Sequence, residues 1–590
     1  MTKTLSILLL SFCALCASAQ IKPVIYINQV GFDAGGPKTA LIGNEQQLPA
    51  HATFSIINTA TSKPVFTGTL GAAQQIAEWA PGKYFYKADF TSFVQSGKYK
   101  VSISVAGKSY LSDAFQIANN ALATLTMPSI MHYYRQQRAN TPGELAADAK
   151  MKLFGSDQTV DLRGGWCDAS GDVSKYFSHL AYANYMSPQQ TPLVTWSMVY
   201  ATEAVPKLLA KLGIKDSIES EALWGADYMM RALSKDDYFY MIVFSYFNKD
   251  PNARRVVGLH ANSVTTNEYQ SAFREGGGMA IAALARIARW KKHGDFTSDQ
   301  YLAGAKRAFA HLLLNNTRYD DDGKENIIDD YCALMAATEL WITTKDNGYR
   351  DEARKRAGNL SARMTHKGYF KADDGARPYW HASDAGLPVV ALARYARQEQ
   401  DLGYRKLALQ TIKAALDYEL RVTGEVSNPF GYARQTFRYK NDIKDGFFIP
   451  HDNETGWWWQ GENARLGSLA TAAIVGGRLV YPAANQWKVK QPLAQFAANQ
   501  LNWILGNNPY QMCFMYQFGS KNVPYMHSNF GHGSERGGIS NGITGKEGNG
   551  DGSGIDFKTE DKGDEWRWTE QWIPHAAWFL QAIAAMAEEQ

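Results

Sequence analysis

Near residue 120 the spacing of apolar residues switches from the alternation of strands to the three-and-four spacing of helices. One layer cannot satisfy both periods, so the chain divides there. Ahead of the switch, Val24-Ile25-Tyr26-Ile27, Thr53-Phe54-Ser55-Ile56-Ile57, Tyr84-Phe85-Tyr86 and Tyr99-Lys100-Val101-Ser102-Ile103 are β-rich runs. Asn58, Gly71, Pro81-Gly82, Gly97 and Gly107 punctuate them. About seven short strands in ~100 residues predict an immunoglobulin-like β-sandwich over residues 20–118. Behind the switch, roughly twelve helical stretches are expected, near 121–137, 195–213, 217–233, 267–293, 298–315, 327–345, 350–364, 384–399, 403–421, 460–480, 490–505 and 574–588. Ala408, Ile412, Leu416 and Leu420 recur on one face, and Pro574 suits a first helical turn. No fixed repeat is present, which disfavours a solenoid. Six antiparallel pairs closed into an all-α (α/α)6 barrel over 119–590 fit best. Long connections at 155–175, 424–459 and 506–568 interrupt it, and loops of that length in a compact domain usually carry function.

Composition narrows the class. The chain has 590 residues, is 45% hydrophobic and balances 61 Lys+Arg against 57 Asp+Glu, so neither disorder nor nucleic-acid binding is indicated. Sixteen Trp, 31 Tyr and 27 Phe suit sugar stacking or simply a large core. The apolar run Leu5 to Ala14, followed by Ala17-Ser18-Ala19, reads as a signal peptide over 1–19, cut after Ala19. A periplasmic or secreted protein without a membrane anchor is therefore expected. Cys167, Cys332 and Cys513 are too few and too scattered for a disulfide framework or a cysteine metal site.

Five segments carry possible chemistry. In Gly164-Gly165-Trp166-Cys167-Asp168-Ala169-Ser170-Gly171-Asp172, one carboxylate can deprotonate a water that the other holds in line; alternatively Asp172 caps a helix and Asp168 shapes a turn. Glu570 lies among Trp566, Trp568 and Trp572, where desolvation would keep it protonated; it also suits a helix lead-in. The run Asp452 to Arg465 contains Trp457, Trp458 and Trp459, of which at least one is expected on a cleft surface. His527 and Arg536 either donate to sugar hydroxyls or are loop surface. Asp320-Asp321-Asp322-Gly323-Lys324-Glu325-Asn326 has the look of a calcium loop, with Lys324 at a ligand position. No cofactor is expected, and calcium only in a structural role.

Together these segments resemble glycoside hydrolase family 9 over nearly the whole mature chain. The resemblance rests on Tyr26-Ile27-Asn28-Gln29-Val30-Gly31-Phe32, the Gly164 to Tyr176 box, Trp503-Ile504-Leu505-Gly506-Asn507-Asn508-Pro509, and Thr569-Glu570 before a terminal helix. It implies an inverting mechanism, with Asp172 as general base, Asp168 as second water-binding aspartate and Glu570 as general acid. Inversion needs base and acid roughly 6.5–9.5 Å apart, which only the fold can arrange. Tyr176, Trp457, Trp458, His527, Arg536, Trp566 and Trp568 are the expected sugar contacts. Three features depart from the family pattern: Ser170 is an extra residue in the aspartate box, a His-His-Arg signature is reduced to His527, and the Glu454 to Asn463 run with the Asp-Ala-Ser-Gly-Asp form looks like a bacterial subgroup.

The expected activity is hydrolysis of β-linked gluco-configured chains, endo- or exo-acting. The Glu454 to Asn463 run resembles a subgroup that includes β-glucosidases and β-glucosaminidases. Asp452, Glu454 or Glu462 would then hold an amino sugar's ammonium, giving an exo-β-glucosaminidase on chitosan oligosaccharides as the alternative. A polysaccharide lyase would need a basic cluster beside a Tyr-His pair, which is not seen. A non-catalytic glycan-binding protein would bind without turnover.

Overall fold

The computed structural model describes residues 22–589 except 180–185, 249, 261–262, 456–458, 527–530, 561 and 564. Ten strands lie between Val24 and Ala118, rather than about seven. One sheet orders Val24–Tyr26, Thr39–Asn44, Ala80–Asp89 and Gln74–Ile76. The other runs Gly31–Asp33, Phe115–Ala118, Gly97–Val105, Thr53–Asn58 and Pro64–Thr69, with Lys108–Leu111 also on Gly97–Val105. Alternation sends each strand's residues to two places. Ile25, Ile42 and Tyr86 fill the sandwich, while their neighbours Tyr26, Leu41 and Phe85 belong to the core of the helical domain.

That domain contains α1 (Ala121–Gln136), α2 (Pro142–Asp148), α3 (Thr191–Ala204), α4 (Pro206–Lys211), α5 (Lys215–Ala232), α6 (Gly278–Ile287), α7 (Ser298–Tyr319) and α8 (Ile327–Thr344). It continues with α9 (Asn347–Ala362), α10 (Leu387–Gln398), α11 (Leu402–Gly424), α12 (Asn463–Val480), α13 (Gln491–Ile504), α14 (Trp566–Thr569) and α15 (Ile573–Met586). Helices α3, α6, α8, α10, α12 and α15 each touch the next, and α15 touches α3, closing an inner ring. An outer layer packs α5 on α3, α7 on α6, α9 on α8, α11 on α10, α13 on α12 and α1 on α15. This is the (α/α)6 barrel. Inner helices are apolar almost all round because both faces are covered: every residue of α15 is buried.

Helices α2 and α14 fall outside the expected stretches, and two expected helices are altered. The stretch 195–213 breaks at Val205, since Pro206 cannot donate to the ladder and starts α4 instead. The stretch 267–293 is α-helical only from Gly278, after a π-helical turn at Phe273–Gly277; before it, Ile242–Phe244, Arg255–His260 and Val264–Thr266 form a small sheet with Lys175–Tyr176. This sheet brings chain from beyond α5 against the aspartate box.

Candidate active site

Left-handed glycines shape the box. Gly164, Gly165 and Gly171 have φ of 104°, 74° and 104°, and a Cβ on Gly165 would press the Tyr228 ring at 3.0 Å. Trp166 is fully buried and bonds Glu221 through Nε1 at 3.2 Å. Lys175 is buried too, donating to Asp148 at 2.7 Å and to the Leu162 and Gly164 carbonyls at 2.6 and 2.9 Å. The loop between these anchors has little freedom.

Asp172 is not a helix cap, because the next described helix begins at Thr191. Its Oδ1 accepts three bonds: Ser174 N at 2.9 Å, Ser174 Oγ at 2.8 Å and Ser245 Oγ at 2.9 Å. Ser245 directly follows the strand Ile242–Phe244, so the small sheet delivers it. Asp168 Oδ1 accepts Trp572 Nε1 at 2.9 Å. Sequence reasoning did not single out Ser245 or Trp572 as site residues, since 73 and 404 positions separate them from their aspartates.

Glu570 is the C-cap of the short α14, three residues before the terminal helix begins at Ile573. Its carbonyl accepts Asn541 N at 2.9 Å, and Asn541 is held by Trp566 O at 2.8 Å and His575 at 2.8 Å. The Glu570 segment lies directly on the box: Ala169 pairs with Trp572, and Ile573 N donates to Asp168 O at 3.1 Å. Burial pushes the Glu570 carboxyl well above the ordinary range, and the charges of Asp168 and then Asp172 push it further, against an opposing bond from Asn541. Asp168 is raised well above its usual value by burial and by Asp172, against bonds from Trp572 and Gln190. The three carboxyls from opposite ends of the domain sequence thus act on one another in one site.

Residues 124–553 match the model of Glycosyl hydrolase family 9, and residues 20–108 match the Cellulase N-terminal ig-like domain. The chain belongs to glycosyl hydrolase family 9. Among curated proteins, Endoglucanase 4 of Arabidopsis thaliana is 22% identical over 71% of this chain and 82% of its own length. Cellodextrinase of Butyrivibrio fibrisolvens is 30% identical over 26% of this chain and 27% of its own. The solved structure titled family 9 endoglucanase J30 is similar in fold, with a TM-score of 0.65 at 18% identity over 95% of this chain and all of its own. A Bacteroides ovatus family 9 structure gives 0.62 at 18% identity, covering 95% and 98%.

The family 9 fold separates the expected sugar contacts. Trp566 is half-buried in the turn that ends at Glu570, with the Arg567 guanidinium 4.5 Å over its ring. Trp568 is fully buried, its Nε1 bonded to Thr544 at 2.9 Å, so its ring is core. Tyr176 is likewise buried, in a cluster with Ile242, Phe244 and Val257, and stacks on His179. Arg536 is exposed, bonding Ser129 at 3.1 Å and covering Phe518. Trp457, Trp458 and His527 lie outside the described residues. Trp459 is stacked on His451, with Arg567 3.7 Å over its ring.

Two acids proposed for an amino sugar are already neutralised. Glu454 accepts Trp380 Nε1 at 3.2 Å and pairs with Arg377 at 3.4 Å. Glu462 is buried against Arg465 and accepts Ile449 N at 2.7 Å. Asp452 stays exposed. The acidic loop has its own cation: Arg274 reaches Asp320 at 3.1 Å and Asp322 and Asp329 at 3.3 Å. One further set, Glu144, Cys167 and His532, offers metal-ligand atoms within 4.8 Å of one another, and a 2.9 Å Glu144–His532 pair closes it.

Proposed function

We propose that this family 9 protein is an exported, inverting hydrolase of β-1,4-linked glucans. The supporting observation is that Asp172, held by three donors, shares a site with Glu570, whose anion burial and the neighbouring carboxylates disfavour. Asp172 takes a proton from water while the water oxygen bonds the anomeric carbon from the face opposite the leaving group. The glycosidic C–O bond breaks, and Glu570 gives its proton to the departing oxygen. Asp168, fixed by Trp572, orients the water. The proton inventory closes on these side chains, and no step is assigned to a metal. Asp172 then returns its proton to solvent and Glu570 regains one.

A neutral glucosyl substrate is favoured over an amino sugar, because Glu454 and Glu462 already have arginine partners. Two relatives carry the names endoglucanase and cellodextrinase, which suits the same substrate class. Export rests on the leader-like residues 1–19, and N-terminal sequencing of the mature protein should start at Gln20. No described helix is long and apolar enough to cross a membrane.

The test is digestion of cellohexaose followed by NMR of the fresh product. The new reducing end should carry the α configuration, and glucose alone from the outset would mean exo action. D172N and E570Q should each lower kcat by about 10³-fold or more, a barrier increase of about 4 kcal/mol, with the fold intact by circular dichroism. A β anomer, or normal turnover in either variant, would overturn the assignment concerned.

A further inference from the structure

The extra residue in the aspartate box has a definite place. Ser170 is fully buried, and its backbone N donates to Gln571 O at 2.8 Å while its Oγ accepts Gln571 N at 2.9 Å. Gln571 immediately follows Glu570 and is itself fully buried. Its side-chain Oε1 accepts Glu535 N at 2.9 Å, which ties the same residue to the 506–568 connection. On the other side of Ser170, Gly171 N donates to His532 O at 3.3 Å. Beside Ser170, Ala169 and Trp572 form an antiparallel bridge, with Ile573 N donating to Asp168 O at 3.1 Å, so box and acid segment are joined at successive residues.

We propose that Ser170 is a positioning residue that clamps the general-acid segment to the general-base loop and so sets the gap between Glu570 and the aspartates. This rests on the hydrolase reading above for its roles, while the clamp itself rests on the hydrogen bonds. A four-residue box would have no side-chain oxygen at this place. The fifth residue supplies one, and Gln571 N–H is satisfied by it in a buried setting where an unmade bond is costly. Displacement of reacting groups by about 1 Å lowers turnover by about 10²-fold. The clamp therefore acts on turnover without touching substrate.

The test compares wild type, S170A and S170T on cellohexaose across pH. Alanine removes the acceptor and threonine keeps it. The titratable groups facing Glu570 are Asp168 and Asp172 from the box and Tyr133 from α1, with His575 of α15 behind Asn541. Loosening the clamp admits water and separates the carboxyls, so Glu570 should lose its proton at lower pH. S170A is expected to lower kcat about 10- to 100-fold with KM within twofold, and to move the alkaline limb of kcat to lower pH. S170T is expected to retain the wild-type limb. Infrared titration of the Glu570 carboxyl, taken as the difference from E570Q, should show the same shift without substrate. An S170A enzyme with wild-type kcat and limb overturns the proposal. So does loss of stability with the infrared titration unmoved. If S170A does not fold, a shifted infrared titration in S170T overturns it as well. An inactive wild type would defeat the hydrolase reading, whereas an unshifted infrared titration defeats the clamp alone.

Discussion

Burial disfavours the Glu570 anion and the charges of Asp168 and Asp172 raise its pKa further, so its ionisation bears on stability. A carboxyl whose folded pKa exceeds its unfolded value binds its proton more tightly in the native state. Its contribution is fully present below the unfolded value of about 4.3 and is lost as pH rises through the folded value. E570Q should therefore match wild type in Tm near pH 4 and exceed it increasingly towards pH 8, by about 1.4 kcal/mol for each unit of the raised pKa. Thermal melts at several pH values check this, and an E570Q advantage that does not grow with pH would refute it. Asp168, Asp172 and Glu570 stood out as candidates in their local boxes. The groups that tune them were not, because Trp572 and Ser245 reach their aspartates only across the folded chain. The three tryptophans around Glu570 look alike in sequence, yet Trp568 is sealed against Thr544 while Trp566 is half-buried. Two positions along a short helix were enough to separate their surroundings.

At the scale of elements, the helical spacing announced the ring, and its apolar inner helices mark which members face neighbours on both sides. The acidic run after α7 shows what spacing leaves open. Its charges suit a cation loop, but the cation is Arg274, delivered by the turn before α6. That guanidinium joins the end of α7 to Asp329 in the first turn of α8, and it also donates to Lys324 O at 2.9 Å. Arg274, Asp320 and Asp329 have fully buried side chains, so R274A leaves carboxylates without their counter-charge. A loss of about 3–5 kcal/mol is expected, with little recovery in R274K, whose single ammonium cannot bridge three elements. Urea unfolding of both variants measures it. The resulting instability should not be relieved by calcium.

Across the whole molecule, the sandwich and the barrel are continuous. Tyr26 and Phe85 pack edge-on against Phe430, with ring centroids at 5.3 and 5.4 Å. Asn28 donates to Asn502 at 2.9 Å, Gln29 N to Leu505 O at 2.9 Å, and Trp487 Nε1 to Asp33 at 3.0 Å. Alternate residues of the same strands serve both cores, so neither part retains its buried surface when the other leaves. Calorimetry should show one cooperative transition, and Y26A should lower it as a whole by about 3–5 kcal/mol of stability, as for other large-to-small aromatic core changes. Two separable transitions, with only one of them moved, would contradict this coupling. By itself the sequence determined the two layers and the run of helices, and it singled out the three carboxyls as candidates, because period and short boxes are properties of neighbouring residues. Only the tertiary structure decided that Arg274 fills the acidic loop, that Glu454 and Glu462 are spoken for, and that Ser170 bonds the residue after Glu570. Those are contacts between distant residues, and their strength depends on water being excluded between them, which no local pattern records.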